Sequence, residues 1–466
     1  MKAFDHISDT IAAISSSTGQ GGIGLLRISG QESLSIAGKI FKPRRSKNIT
    51  ESNSYTVHYG WIVEPGNPQR IIDEVLLTIM RSPKSYTTED VVEISCHGGS
   101  VALRSVLSLI LEQGARLAEP GEFTKRAFLH GRIDLTQAEA VLDIIQSRTN
   151  RFLQISSNQL KGELSTALSS IREVLMHTYV TLEALINFPE DEIDGQTQRN
   201  IEAEIKQSLE RISLLLTASE QGRILKEGIK IVLCGKPNVG KSSLLNVLLK
   251  QDRAIVSEIA GTTRDTIEES AQIKGIPFQI VDTAGILKPR NSIEEEAVKR
   301  SHMYIRSADV VLFLFDWSRP FDEEDSTIIR QIENEQIILV FNKQDLPKQL
   351  DTQMVCERFP HARQISLSAL SGNGVASLED AIAETVWHGG EPQSNTIMIS
   401  NLRQINALKR AFESVGQAKI LLENQTSFEF VSEEIKQAVH FLDQITGKDI
   451  DADLLDTIFS QFCIGK

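Results

Sequence analysis

The residues Gly235-Lys236-Pro237-Asn238-Val239-Gly240-Lys241-Ser242 have the spacing G-x-x-x-x-G-K-[ST]. They follow the apolar run Ile229–Cys234 and precede a helical run, Ser243–Leu249. That strand–loop–helix context is the one in which such a loop wraps phosphate groups. The glycines let successive backbone N–H groups converge on an anion at a helix N-terminus. Lys241 then neutralises β- and γ-phosphate charge, and Ser242 offers a hydroxyl to Mg²⁺. Asn238, Val239, Gly240 and Ser243 complete the expected phosphate cradle.

Further elements follow in order. Gly261-Thr262-Thr263-Arg264-Asp265 supplies Thr263 as a second hydroxyl for the metal. Asp282-Thr283-Ala284-Gly285 ends the apolar run Phe278–Val281, where a carboxylate can reach Mg²⁺ and a glycine can sense a γ-phosphate. Asn342-Lys343-Gln344-Asp345 ends the run Ile337–Phe341. An aspartate there accepts from two N–H groups on the edge of guanine, whereas adenine leaves it mismatched. Ser368-Ala369 fits a base-contacting loop. Each element is weak alone; in this order, at strand ends, they specify GTP. Ile286 follows Gly285, so the glutamine that orients attacking water in Ras-like enzymes is missing. The Asn238 amide is a candidate to hold a monovalent cation beside the phosphates. A carboxylate in the stretch 288–296 is a candidate to position the water.

The surrounding chain must hold these groups at strand ends. From about Gly228 to Trp387 strands and helices alternate, which implies a parallel sheet wrapped by helices. Up to about residue 120 the runs Thr10–Ile14, Ile23–Ile28, Val75–Met80 and Val91–Ser95, with a helix at Val101–Leu111, imply a compact α/β domain. From about Thr124 to Leu216 apolar residues recur at helical spacing. Leu164, Leu168, Ile171 and Leu175 form one stripe, and Ile201, Ile205, Leu209, Ile212 and Leu216 another. An acidic connector follows Phe188-Pro189. A helical stripe returns at Leu402, Ile405, Leu408, Phe412 and Val415. The expected organisation is multidomain, α/β plus all-α. An N-terminal domain at 1–120 precedes a helical domain in two halves, 121–222 and 388–466, interrupted by a doubly wound GTPase domain at 223–387.

The chain has 466 residues, with 49 Lys and Arg against 62 Asp and Glu, a net charge of −13. That balance excludes a general basic surface for coating nucleic acid or anionic membrane, though not a local basic site. Cys96, Cys234, Cys356 and Cys463 are far apart with no CxxC pair, so neither a disulfide framework nor a zinc site is expected. No run approaches the roughly 18 apolar residues of a membrane span, and no signal peptide is expected. The expected compartment is the cytoplasm. Gly19-Gln20-Gly21-Gly22-Ile23-Gly24 spells a dinucleotide fingerprint, but a strand, not a helix, follows it. His97-Gly98-Gly99 has the letters of an esterase oxyanion loop without any G-x-S-x-G elbow. Ser82–Thr87 and Pro120–Thr124 are polar turns suited to lining a ligand site, and the aromatic end Phe459–Lys466 reads as a docked tail.

Several segments together resemble the MnmE (TrmE) family of tRNA-modification GTPases over essentially the whole chain. They are Gly21–Gly24, Arg27–Gly30, Glu89–Glu93, Cys96–Gly99, Pro120–Phe128, Gly261–Asp265, Asp282–Gly285 and the tail Phe462-Cys463-Ile464-Gly465-Lys466. The resemblance implies an N-terminal domain related to tetrahydrofolate-binding aminomethyltransferases that also drives formation of a homodimer. Its folate site, for a 5-formyl or 5,10-methylene derivative, falls on Arg27, Glu93 and Arg132, with Lys466 nearby. Arg132 stands where a lysine is usual, and its planar guanidinium still pairs a carboxylate. The family's potassium ligands fall on Asn238 in the phosphate loop and on Ser257, Ile259 and Thr262, these three in or near the loop before Thr263 that also holds Gly261, and the water-orienting glutamate on Glu294. With the flavoprotein MnmG, which carries FAD, the family forms a heterotetramer. It adds an aminomethyl or carboxymethylaminomethyl group to carbon 5 of the wobble uridine of certain tRNAs. Cys463 is then a candidate nucleophile or proton donor toward the pyrimidine.

A second reading is a ribosome- or RNA-assembly switch of the Era or Der type, in which GTP state controls docking alone. Residues 1–120 and the Cys463 tail have no task in such a switch. The segment from Glu391 carries seven Lys and Arg against eleven Asp and Glu, so it is no basic RNA-binding arm. A third reading, a free-standing aminomethyltransferase, leaves the GTPase unexplained.

Overall fold

The computed structural model describes residues 9–17, 19, 21–45, 48–188, 195–251, 268–282, 303–330, 332, 336–387 and 396–466, with backbone alone at 250, 251, 268–270 and 282. The chain divides into two compact units: Met1–Leu142 with Gln159–Ile193 and Ile420–Lys466, and Asp143–Asn158 with Asp194–Lys419.

The first unit holds a seven-stranded sheet. Its strands are β1 (Ile11–Ile14), β2 (Ile23–Ser29), β3 (Phe41–Pro43), β4 (Thr56–Glu64), β5 (Asn67–Met80), β6 (Val91–His97) and β7 (Arg116–Leu117), in the order β3-β4-β5-β6-β2-β1-β7. Only β1 and β7 pair in parallel; the other neighbours are antiparallel. Alternation along β2 turns Leu26 and Ile28 inward, against the helices Ser33–Ile40 and Ser100–Glu112. Leu25 and Arg27 fall on the opposite face. The β2–β6 register sets Arg27 directly across from Glu93, so a cross-strand ion pair is built into the pleat. The fingerprint letters at Gly19–Gly24 run into β2, as their apolar continuation requires.

In the same unit the helix Glu163–Asn187 buries Leu164, Leu168, Ile171 and Leu175, the expected stripe, against the helix Phe428–Thr446. Arg172 forks onto both oxygens of Asp443 at 2.6 and 3.0 Å, and Ser432 donates to Glu183 at 2.6 Å. The helices Glu122–Leu129 and Ala452–Ser460 share a core of Ala127, Leu135, Leu455, Phe459 and Phe462.

A charged cluster lies under the Pro120–Thr124 turn. Arg126 is 2% exposed and donates to Glu89, Glu122 and Asp9, while Arg116 reaches Asp9 and Glu122. Burial works against the Arg126 charge, but the three carboxylates outweigh it and hold the guanidinium pKa above its ordinary value. Removing Arg126 leaves Glu89 without its cation and Asp9 and Glu122 to share Arg116 alone. Arg126→Met is therefore expected to cost about 3 kcal/mol or more in urea unfolding of the first unit. A cost below about 1 kcal/mol would mean the carboxylates find water instead.

The second unit holds a six-stranded sheet: β8 (Ile229–Cys234), β9 (Glu268–Ile273), β10 (Ile276–Asp282), β11 (Val310–Asp316), β12 (Ile337–Asn342) and β13 (Arg363–Ser366), in the order β13-β12-β11-β8-β10-β9. All neighbours are parallel except β9 and β10, so the expected parallel sheet carries one antiparallel edge. Both faces are covered. Ile231 and Leu233 join one apolar layer, Val232 and Cys234 the other, and β11 is buried at every position.

Two expected stripes shift. In the helix Gly195–Glu227 the buried line runs Ile201, Ile205, Ser208, Ile212, Leu215, Ser219 and Gly222, leaving Leu209 and Leu216 half-buried. Its spacing of alternating threes and fours follows a 3.5-residue period, so a line drawn with longer steps drifts off it. In the helix Leu402–Glu423, Ile405, Leu408 and Val415 are buried, but Leu402 is exposed and Phe412 half-buried. The expected acidic connector after Phe188-Pro189 lies outside the described residues.

Candidate nucleotide-binding site

The loop Gly235–Gly240 leaves the end of β8 and opens the helix Lys241–Gln251. Its curl needs three left-handed residues, Gly235 (φ 143°), Asn238 (φ 64°) and Gly240 (φ 99°). At Gly240 a Cβ would stand 2.1 Å from the Asn342 amide nitrogen, so only glycine lets the two loops close. Successive N–H groups on such a curve form an anion-binding concavity, continued by the helix N-terminus. Lys241 is 9% exposed, and its Nζ donates to the Gly235 and Lys236 carbonyls at 2.8 and 2.9 Å. Val239 is buried by its side chain and offers only backbone, while Ser242 and Ser243 are exposed at the start of the helix.

The strand-end loops hold this curl from behind. Asn342, at the end of β12, donates Nδ2 to the Val239 carbonyl at 2.8 Å and accepts from Ala369 N–H at 3.0 Å. Lys343 donates Nζ to the Asn238 carbonyl and to Asp316 Oδ2, both at 2.7 Å. Burial would raise the Asp316 carboxyl, but Lys343 and Ser318 hold it below the usual carboxylate range. Ser368 donates to Asp345 Oδ1 at 2.5 Å, fixing the exposed carboxylate expected to read guanine. Asn342, Lys343, Asp345, Ser368 and Ala369 thus form one connected loop pair with Asn238, Val239 and Gly240. The cradle, the buried ammonium and the fixed carboxylate fit a guanine nucleotide. Asp282 ends β10. Ser257, Ile259, Gly261, Thr262, Thr263, Thr283, Ala284, Gly285 and Glu294 lie outside the described residues, as does the rest of the stretch 288–296.

In the first unit, Arg27 binds Glu93 through Nε and Nη2 at 2.9 and 2.7 Å. Its guanidinium carbon lies 5.6 Å from the Tyr86 ring centre and 5.4 Å from that of Phe123. Arg132 covers Tyr86 at 4.8 Å and donates to the Tyr86 carbonyl. The tail is docked beside them. Gly121 N–H donates to the Cys463 carbonyl at 3.3 Å, and Phe123 N–H to that of Lys466 at 3.1 Å. Cys463 itself is exposed. Arg27, Glu93 and the tail are therefore brought together, and Arg132 joins them through Tyr86.

A family model of the MnmE helical domain matches residues 135–463, and one of the GTP-binding protein TrmE N-terminus matches residues 10–132. The tRNA modification GTPase MnmE of Clostridioides difficile (strain 630) is 44% identical over 460 residues, 99% of this chain and 100% of its own length. This chain belongs to the MnmE family. The MnmE of Carboxydothermus hydrogenoformans is likewise 44% identical, over 461 residues, with 99% of this chain and all of that protein covered. Among solved structures, Aquifex aeolicus Era bound to GDP and aluminium fluoride aligns with 40% of this chain and 66% of its own, at 27% identity and a TM-score of 0.28.

One tether of this MnmE-family loop has no counterpart in the motif letters. Lys236, 13% exposed by its side chain, donates to Asp322 Oδ2 and Asp325 Oδ2, both at 2.8 Å. Those two carboxylates already close a capping box on the helix Glu323–Ile329. Burial opposes the Lys236 charge, yet the pair of carboxylates keeps its pKa above the ordinary value. The only signal in the sequence was Asp322 and Asp325 at capping-box spacing. Lys236→Met is expected to raise KM for GTP roughly fivefold, about 1 kcal/mol for a partly exposed ion pair. Turnover at saturation should hold within about twofold and Lys236→Arg should recover KM; an unchanged KM would show the tether to be idle.

Proposed function

We propose that this chain is a potassium-activated GTPase whose nucleotide cycle serves C5 modification of the wobble uridine in certain tRNAs. As a member of the family it is a GTP hydrolase acting in tRNA modification. The observation that carries the reading is the Gly235–Ser242 cradle, clamped by Asn342 and Lys343, in one chain with the docked Cys463 tail. Bound GTP and Mg²⁺ would supply the phosphoryl group and the metal charge. Lys241 neutralises phosphate charge, Ser242 and Thr263 hold the metal with the Asp282 carboxylate in reach of it, and in Asp282-Thr283-Ala284-Gly285 the glycine senses the γ-phosphate. Asn238, Ser257, Ile259 and Thr262 hold K⁺ in place of an arginine finger, and Glu294 orients the attacking water. Arg27, Glu93, Arg132 and Lys466 hold a 5-formyl- or 5,10-methylenetetrahydrofolate.

The one-carbon unit would come from that folate and the redox chemistry from FAD on an MnmG-like partner, in a heterotetramer built on a homodimer. We further propose Cys463 as nucleophile or proton donor toward the pyrimidine. The domain division 1–120, 121–222 with 388–466, and 223–387 and a cytoplasmic location belong to the same proposal. No helix among the described residues is long and apolar enough to cross a membrane. The test is GTP turnover in potassium against sodium, with 5-formyltetrahydrofolate binding measured on the same preparation. Turnover several-fold faster in potassium, together with folate binding, is expected. Equal rates in the two salts would end the cation role, and potassium stimulation without folate binding would favour an assembly switch.

A further inference from the structure

The last residues of the chain are held by backbone, while Cys463 among them is exposed. Phe462 is buried against Phe459, their ring centres 5.4 Å apart, and anchors the root of the tail. Beyond it Ile464 forms an antiparallel bridge with Pro120. The Cys463 carbonyl accepts from Gly121 N–H and from Lys466 N–H, both at 3.3 Å, and Phe123 N–H donates to the Lys466 carbonyl. Gly465 takes φ 94°, and a Cβ there would stand 2.3 Å from the Ile14 carbonyl oxygen at the end of β1. The tail therefore lies so close to the sheet that no other residue fits.

Arg27 completes this bracket from within the sheet. Its Nη1 donates to the Gly465 carbonyl at 3.4 Å while Nε and Nη2 are taken by Glu93. Three of the five donors of the guanidinium are thus aimed at internal partners. The side chain is 14% exposed, and the rings of Tyr86 and Phe123 stand within 6 Å of the guanidinium. A lysine would keep the positive charge, but its single, shorter-reaching Nζ lacks the planar fork that meets Glu93 through Nε and Nη2 and leaves Nη1 for the Gly465 carbonyl.

We infer that Arg27 is a positioning residue: it seats the C-terminal tail through Gly465 and so fixes where the Cys463 thiol stands. The inference goes beyond the folate reading, because it assigns Arg27 an internal task whether or not a folate is bound.

The test uses a nitroxide spin label on Cys463 in the full chain. Cys96 and Cys234 are buried, and burial pushes their thiols up to about 11 and about 12, so neither competes for the reagent. Cys356 is half-buried and is removed as Cys356→Ser. The expected spectrum in that background is immobilised. Arg27→Lys and, separately, Gly465→Ala should convert at least half of the spins to a mobile spectrum, with the melting temperature of each variant recorded alongside. If Arg27→Lys does not fold, the Gly465→Ala spectrum decides whether the tail is seated as described. A mobile spectrum already in the background protein overturns the inference, as does an immobilised spectrum in a folded Arg27→Lys protein. Folate binding plays no part in this readout, so failure of the folate reading is seen separately in the binding measurement.

Discussion

Lys241→Ala will lower GTP turnover by about a thousandfold or more, the loss typical of removing a preorganised charge from a low-dielectric site. The Lys241 ammonium is nearly buried and lies over its own loop, on the Gly235 and Lys236 carbonyls. It is therefore placed before any phosphate arrives, and no reorganisation is needed when charge develops. Alanine removes both the charge and the two bonds that hold Gly235 and Lys236. Lys241→Arg will not recover the rate, because the planar fork cannot take the same path through the loop. Phosphate release at saturating GTP measures the effect, and a fluorescent guanine nucleotide reports how much of it is binding. A loss of less than about tenfold would place the charge neutralisation on another residue.

The difference between this loop and the rest of the site lies in how local its specification is. Gly235–Ser242 is legible in the sequence because strand, glycines, lysine and helix are contiguous, and so are Asn342–Asp345 at the end of β12. The run Val310–Phe315 is legible for the same reason, since a strand buried on both faces reads as an unbroken apolar stretch, and Ile229–Cys234 departs from that only at the exposed Lys230. What joins these pieces is not legible. The Asn342–Val239 bond spans 103 positions and the Arg27–Gly465 bond 438. Neither leaves a periodicity or spacing that a single sequence displays. Arg27 is instructive: its type and place beside Ile28-Ser29-Gly30 carry the family resemblance, but only the β2–β6 register shows that Glu93 already engages it. Helical stripes fail for a subtler reason. Over the 33 residues of Gly195–Glu227 the buried line follows a period slightly shorter than the helix's own, so Ser208 is buried where an apolar count selects Leu209.

Asp345→Asn will turn the base preference from guanine to xanthine. Guanine presents two donors on this edge, N1–H and the 2-amino group, and an ionised carboxylate is an acceptor only. An asparagine offers one acceptor and one donor, which leaves the 2-amino group facing an N–H. A site built to hydrogen-bond a ligand rejects one that leaves its groups unpaired; here the site is changed rather than the ligand. Xanthine carries a carbonyl at that carbon, and the asparagine donor meets it. Because Asp345 is exposed, the loss of kcat/KM for GTP should be about a hundred- to a thousandfold rather than the larger factors of enclosed sites. The loop itself should survive. Ser368 can still donate to the asparagine oxygen, and the bonds from Asn342 and Lys343 to the phosphate loop do not involve Asp345. Melting temperature should therefore change little, which separates this variant from Asn342→Ala, where the Val239 and Ala369 contacts are both lost. Turnover of GTP and xanthosine triphosphate in competition reads the switch. If GTP stays preferred in the folded variant, the guanine edge is read by another group.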